Sequence, residues 1–183
     1  MKGFANKEAQ VLSGEQISFS FGRNWQKYLS GFDRSAIDQA ERSFVSFTSQ
    51  SSLEGDTFLD LGCGSGLSSL CAYRLGAKRV VSVDIDPHSI DCVLSLRTHY
   101  GDDRRRWEIV NGSALDAGFL ASLGRFSFVY SWGVLHHTGS MWKAIENVIE
   151  SVEPAGKLHL ALYNEHRNSA RWLRVKRICN RWP

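Results

Sequence analysis

Three glycines alternate at Gly62, Gly64 and Gly66, directly after the short apolar run TFLDL, which contains the acid Asp60. Between a strand and a helix, such a loop lets backbone N–H groups and a helix N-terminus face a ligand, because no Cβ blocks the approach. A second acid, Asp84, closes the next apolar run, VVSVD. A carboxylate about 20 residues beyond the loop can accept both hydroxyls of a ribose, and it would repel a phosphate. A third feature is the pair His136-His137, which follows the run RFSFVYS. Imidazole titrates near neutrality and suits removal of a proton from an oxygen or nitrogen acceptor. The plainer alternative is that one ring bonds local backbone and the other packs.

The spacing discriminates between nucleotide loops. A phosphate-cradling loop needs Lys-Ser or Lys-Thr after its last glycine, and here Leu67 follows Gly66. The dinucleotide fingerprint GxGxxG would place its third glycine at 67, but the pattern here is GxGxG. A nicotinamide-dependent oxidoreductase is thus the weaker reading. Cys63, Cys71, Cys92 and Cys179 form no CxxC pair and no metal-ligand spacing, so reduced thiols and no metal centre are expected.

Alternating elements must hold these groups. Helical spacing of Ile37, Ala40, Phe44 and Phe47 predicts a helix over 33–50, with Asp33 as its N-cap. The glycine loop leads into a helix ending near Gly76. RVVSVDID predicts a strand over 79–86, and Asp86-Pro87 starts a helix, Asp as cap and Pro at its first position. WEIVN reads as a third strand, 114–123 as a short helix and RFSFVYS as a fourth strand. Ser140 is the expected cap of MWKAIENVIESV, with an apolar face of Trp142, Ile145, Val148 and Ile149. Pro154 and Gly156 mark a turn before a fifth strand, KLHLALYN. This alternation predicts an α/β protein: a Rossmann-like, doubly wound, mostly parallel sheet of about five strands with helices on both faces. Ligands of such sheets bind at the C-terminal ends of the central strands, where 62–66, Asp84, Ser113 and 131–137 all fall.

At this point the chain resembles the class I S-adenosylmethionine-dependent methyltransferases. FLDLGCGSGLSSL, VVSVDID and YSWGVLHHT carry the resemblance, in order and spacing, over roughly residues 20–180. FGRNW, SWGVLHHTGSMWKAIENV and ALYN are similar to one bacterial-type subgroup. The resemblance implies S-adenosyl-L-methionine as cofactor. Gly62, Cys63, Gly64 and Gly66 would form the loop beside its ribose and amino-acid part, and Asp60 would help place the amino-acid part. Asp84 would accept the ribose hydroxyls, with Ile85 against the adenine and Ser113 and Ala114 at the adenine edge. Many relatives carry Asp at the position of Ser113. The backbone at Ser131 and Trp132 would line the methionine end. His136 matches a position that serves as a base in some relatives.

The family's sheet has seven strands, and five are read here, so the domain over 33–183 looks C-terminally short. It could be a fragment, a natural short form, or a sheet completed by another chain. The expected function is methyl transfer to a small-molecule acceptor, at O, N or C. The alternative is a non-catalytic cofactor-binding or interaction module. The loop Ser-Trp-Gly-Val is not the Asp/Asn-Pro-Pro-aromatic signature of enzymes that methylate exocyclic amines, and no Pro-Cys motif is present, so nucleic acid is disfavoured as substrate.

The flanking regions add partner expectations. Residues 1–32 read as a lead-in and lid, with Asn24 and Trp25 near the ligand; surface packing of their aromatics is the competing reading. From 168 to 183, arginines and lysines mix with Trp172, Val175, Ile178 and Trp182, a basic helix that could meet a membrane surface or simply pack on the sheet. A net charge of +3 forces no nucleic-acid role. No apolar run approaches the roughly 20 residues of a membrane span, and the N-terminus lacks an apolar signal core, so a cytoplasmic protein is expected.

Overall fold

The computed structural model describes residues 34–101, 103 and 106–163. The expected lid residues Asn24 and Trp25, the cap Asp33 and the basic tail lie outside the described residues. The elements run α1 (Arg34–Thr48), β1 (Thr57–Leu61), α2 (Leu67–Arg74), β2 (Arg79–Asp84), α3 (Pro87–Tyr100), β3 (Trp107–Asn111), α4 (Ala117–Leu123), β4 (Phe126–Trp132), α5 (Met141–Ile149) and β5 (Val152–Ala161). The strands form one sheet in the order β3-β2-β1-β4-β5, and every pairing is parallel. The chain builds outward from β1 through β2 to β3, then returns to add β4 on the other side of β1. The crevice between the ends of β1 and β4 is therefore the switch point of the sheet.

Alternation along each strand divides the core. Phe58, Val80, Trp107, Phe128 and Tyr130 face one layer with Ile37 and Phe44 of α1, Leu70 and Tyr73 of α2, and Val93 of α3. Leu59, Leu61, Val81, Val83 and Val129 face the other, with Leu120 of α4 and Ala144 and Val148 of α5. Both faces of the sheet are covered, which is why its strands read as nearly continuous apolar runs. Asp60 and Ser82 share the face of Phe58 and Val80, as the period of two requires.

The helix starts follow local chemistry. The Asp86 carboxylate accepts from the His88 N–H at 2.9 Å and Pro87 stands at the first helical position of α3. Such a cap is worth about 1 kcal/mol. Asp116 accepts from the Phe119 N–H, so α4 begins at Ala117 rather than at 114. Ser140 occupies the cap position of α5 but its hydroxyl makes no capping bond.

Two expectations are corrected. Pro154 and Gly156 do not end a turn before the fifth strand; they lie inside β5, which begins at Val152. Between Phe126 and Phe128 the register jumps from Val152 to Lys157, and Ala155 adopts φ 64°. The segment bulges out of an edge strand, where a proline lacking an N–H is tolerated. The expected apolar face of α5 is also displaced. Trp142 is 71% and Ile149 51% exposed, while Ala144, Asn147 and Val148 are buried. Asn147 faces inward, where its amide donates to the Ala114 carbonyl.

Candidate functional site

All expected site residues among the described residues lie along the C-terminal edge of the sheet. The glycine loop is tied to β2: the N–H groups of Gly62 and Cys63 donate to the Val83 carbonyl at 2.7 and 3.0 Å. Gly62 and Gly66 are glycines for reasons of internal packing. A Cβ on Gly62 would lie 2.4 Å from both Val134 methyl carbons, and one on Gly66 would lie 2.8 Å from a Val93 methyl. Both also have positive φ, which side-chain-bearing residues rarely adopt. Val134 thus seats the turn that follows β4 against the loop that follows β1. Cys63 is buried beside Asp60 and Asp84, and burial pushes its thiol well above the usual range, so it stands as a neutral, apolar part of the loop.

Asp84 ends β2 with both carboxylate oxygens engaged by backbone. Oδ2 accepts from the Gly64 N–H and Oδ1 from the Asp86 N–H, each at 2.9 Å. These bonds fix the plane of the carboxylate, and each oxygen keeps a further lone pair. Burial raises its pKa, opposed by those same backbone bonds. Ile85, next in the chain, is 70% exposed and stands as an open apolar wall. A half-buried acceptor pair with an apolar surface beside it fits a ribose diol and the base attached to it.

Asp60 is deeper, at 2% exposure. Burial pushes its pKa up to about 7, the Ser69 hydroxyl pulls it down, and the charge of Asp84 raises it further. Ser113 and Ala114 follow β3. The Ser113 hydroxyl accepts from the Leu115 N–H at 3.2 Å, which leaves its hydrogen to donate. The buried Ala114 carbonyl accepts from Asn147 Nδ2 at 3.0 Å. Asn111 Nδ2 donates to the carbonyls of Asp84 and Ile85. Neither asparagine was expected in the site. A polar residue on the inward face of α5 is the signal that marks Asn147.

On β4, Ser131 is buried and its hydroxyl donates to the Leu61 carbonyl at 2.8 Å, which joins β4 to β1 at the crevice. The Trp132 ring turns toward α1, edge-on to Phe47 at 4.1 Å and stacked on Tyr130 at 6.1 Å. Its backbone therefore remains the part that faces the end of the strand. Leu135–His137 form a single 3-10 turn, closed by the His137 N–H on the Val134 carbonyl at 2.8 Å. His136 is half-buried and His137 exposed, with ring centroids 4.0 Å apart. Tyr163 completes the cluster, 4.4 Å from His136 and 5.7 Å from His137, and sequence reasoning gave it no part in the site.

Comparison with known proteins supplies the context for this geometry. The sequence model of a family described as a methyltransferase domain matches residues 29–183. Ribosomal protein L11 methyltransferase of Tolumonas auensis is 51% identical over 39 residues, which are 21% of this chain and 13% of that protein. The chain thus matches only a small part of the curated relatives' length. Among solved structures, magnesium protoporphyrin IX methyltransferase of Synechocystis PCC 6803, with bound S-adenosylhomocysteine, superposes with a TM-score of 0.63 at 15% identity. The alignment covers 86% of this chain and 74% of that one. The [4+2]-cyclase SpnF superposes with a TM-score of 0.61 at 16% identity, over 77% of this chain and 56% of that one. At such identities these likenesses concern the fold.

Proposed function

Because the chain belongs to the methyltransferase-domain family, of the class I S-adenosylmethionine-dependent type, we propose that it transfers a methyl group to a small-molecule acceptor, at oxygen or nitrogen, with carbon as the third choice. S-adenosylmethionine is the cofactor expected of this family, and when bound it supplies an already activated sulfonium methyl. The observation that carries the reading is the Asp84 carboxylate, held on both oxygens by backbone N–H groups beside the exposed Ile85. In this reading Asp84 accepts the ribose hydroxyls, and Ile85, Ser113 and Ala114 border the adenine. Gly64 supplies the near backbone, Asp60 places the amino-acid end, and the backbone of Ser131 and Trp132 lines the methionine end.

The protein's task is then to align the acceptor and exclude water. Where the acceptor carries a proton, His136 or His137 takes it. The two rings lie 4.0 Å apart at the end of β4, on the side where the acceptor would approach. The test is calorimetric titration with S-adenosylmethionine and S-adenosylhomocysteine, followed by a labelled-methyl assay on fractionated small molecules. Binding followed by label transfer supports the reading. Tight binding without transfer to any fraction would favour a non-catalytic cofactor-binding or interaction module instead. NADH binding in place of either ligand would overturn both.

A further inference from the structure

On the sheet face toward α1, α2 and α3, a line of polar side chains leads through the apolar core to Asp60. Phe58, Val80, Phe128 and Tyr130 surround it. Within it, Ser69, Ser82 and Trp107 are each 0% exposed. Trp107 Nε1–H donates to Ser82 Oγ at 2.8 Å. The Ser82 hydroxyl donates to Ser69 Oγ, and the Ser69 hydroxyl to Asp60 Oδ2, both at 2.6 Å. The line spans β3, β2, α2 and β1. Ser82 and Asp60 are direct register partners on adjacent strands, and Ser69 of α2 bridges them from above. The indole is itself held by stacking on Tyr73 at 5.5 Å.

The direction of this chain is set at its far end. An indole N–H donates only, so Ser82 Oγ accepts there and its hydrogen points to Ser69. Ser69 then accepts from Ser82 and has its own hydrogen left for Asp60. In the reverse order the Ser82 oxygen would accept twice and its hydrogen would lose its acceptor within the chain. A donated hydroxyl hydrogen stabilises the carboxylate form of its acceptor over the acid.

We propose that Ser69, Ser82 and Trp107 are positioning residues for cofactor binding, whose one-way donor chain presents Asp60 as an ionised acceptor to the ammonium group of the cofactor's amino-acid end. This rests on the methyltransferase reading above. Burial alone would leave Asp60 protonated at neutral pH, and its pKa of about 7 is the balance between burial and the Ser69 hydrogen bonds. The other groups near Asp60 are Asp84 at the end of β2, Cys63 in the glycine loop, Cys71 on α2 and Tyr130 on β4. Burial pushes the Cys63 thiol well up, and the Cys71 thiol and Tyr130 phenol up to about 12, so these stay neutral. Asp84 opposes ionisation of Asp60. Asp60, with a pKa of about 7, changes charge near neutrality.

The test is calorimetric binding of S-adenosylhomocysteine to the full chain between pH 5.5 and 8.5. Wild-type affinity is expected to rise with pH through a midpoint near neutrality. Binding below the midpoint should release protons, read from the dependence of the binding enthalpy on the buffer. Ser69→Ala should move the midpoint up by about one pH unit, the size expected for a lost hydrogen bond to a charged group. Ser82→Ala should move it less and Trp107→Phe least, because each leaves more of the chain intact. Ser69→Thr, which keeps the hydroxyl, should restore the wild-type midpoint. A merely structural role would weaken binding equally at every pH, and an unmoved midpoint in Ser69→Ala overturns the proposal alone. Where a variant does not fold, wild-type protein decides against Asp60→Asn: proton release that persists in Asp60→Asn overturns the proposal. Wild-type protein that binds no S-adenosylhomocysteine at any pH overturns the methyltransferase reading and this one with it.

Discussion

Along the β1–β2 side of the crevice, the Gly64 N–H, Asp84 and the Asp86 N–H are joined by hydrogen bonds of 2.9 Å. Along the β4 side, His136, His137 and Tyr163 meet as rings with centroids 4.0 to 5.7 Å apart. Hydrogen bonds between backbone and carboxylate fix direction as well as distance, so the first side is shaped for one ligand type. Ring contacts tolerate a range of angles and offsets, so the second side can be re-cut for different acceptors without disturbing the first. Beyond the β1–β4 pairing and the Ser131 hydroxyl on the Leu61 carbonyl, the two sides meet where Val134 packs against Gly62.

Breaking that contact is predicted to have the largest effect. Gly62→Ala would place a Cβ 2.4 Å from both Val134 methyl carbons at a φ of 77°. Overpacking and left-handed backbone together should cost about 2–4 kcal/mol, seen as a lower midpoint in urea denaturation. Adding Val134→Ala should recover part of the loss, leaving the backbone share. No recovery in the double variant would mean that the loop and the histidine turn are not coupled there.

The next effect sharpens the contrast in burial between the two sides. Asp60 has its pKa raised from 3.8 to about 7 in the folded chain. A raised folded pKa means that the unfolded chain gives up the proton first as pH rises. The stability that comes from keeping Asp60 protonated is thus complete below about pH 4 and is lost as pH climbs toward 7. Asp60→Asn lacks this loss, so its stability relative to wild type should improve between pH 4 and 7, on the order of 1–4 kcal/mol. Urea melts at both ends of that window measure it, and a constant difference would show that Asp60 does not titrate there.

Legibility in the sequence follows the same division. The glycine loop and Asp84 are readable because strand, loop and helix are contiguous and each imposes a local residue type. The fifth strand was misplaced at its start because Pro154 and Gly156 are turn residues by any local rule. Only the sheet edge and the register jump opposite Phe126 make room for them. Trp142 and Ile149 have the spacing of a buried face yet are exposed, while Val148 is buried as expected and Ala144 and Asn147 join it, the Asn147 amide donating to the Ala114 carbonyl. The line from Trp107 to Asp60 was invisible because its members are far apart in sequence. Its one local trace is Ser82, a hydroxyl within a strand otherwise buried among valines.

Asp84→Ala should weaken S-adenosylhomocysteine binding by about tenfold or more, because it removes a charged acceptor pair. It also leaves the Gly64 and Asp86 N–H groups without the acceptor that orders the loop. Unchanged affinity in calorimetry would remove the assignment of Asp84 to the ribose.

The smallest effect on cofactor affinity is expected at the histidines, and it tests the independence of the two sides. His136 and His137 touch Tyr163 and each other, and their turn is closed by its own backbone bond to Val134. Replacing either ring with alanine removes neither the Val134 contact nor any hydrogen bond of the Asp84 cradle. His136→Ala and His137→Ala should therefore bind S-adenosylhomocysteine within about twofold of wild type, a difference below 0.5 kcal/mol or so. Methyl transfer to a proton-bearing acceptor should fall by about 10²–10⁴ in the variant that loses the base, with His136 the favoured candidate. The loss should shrink as pH rises and the acceptor ionises unaided. If neither variant slows transfer, alignment alone suffices on the β4 side; if either weakens cofactor binding tenfold, the two sides are one site and the division fails.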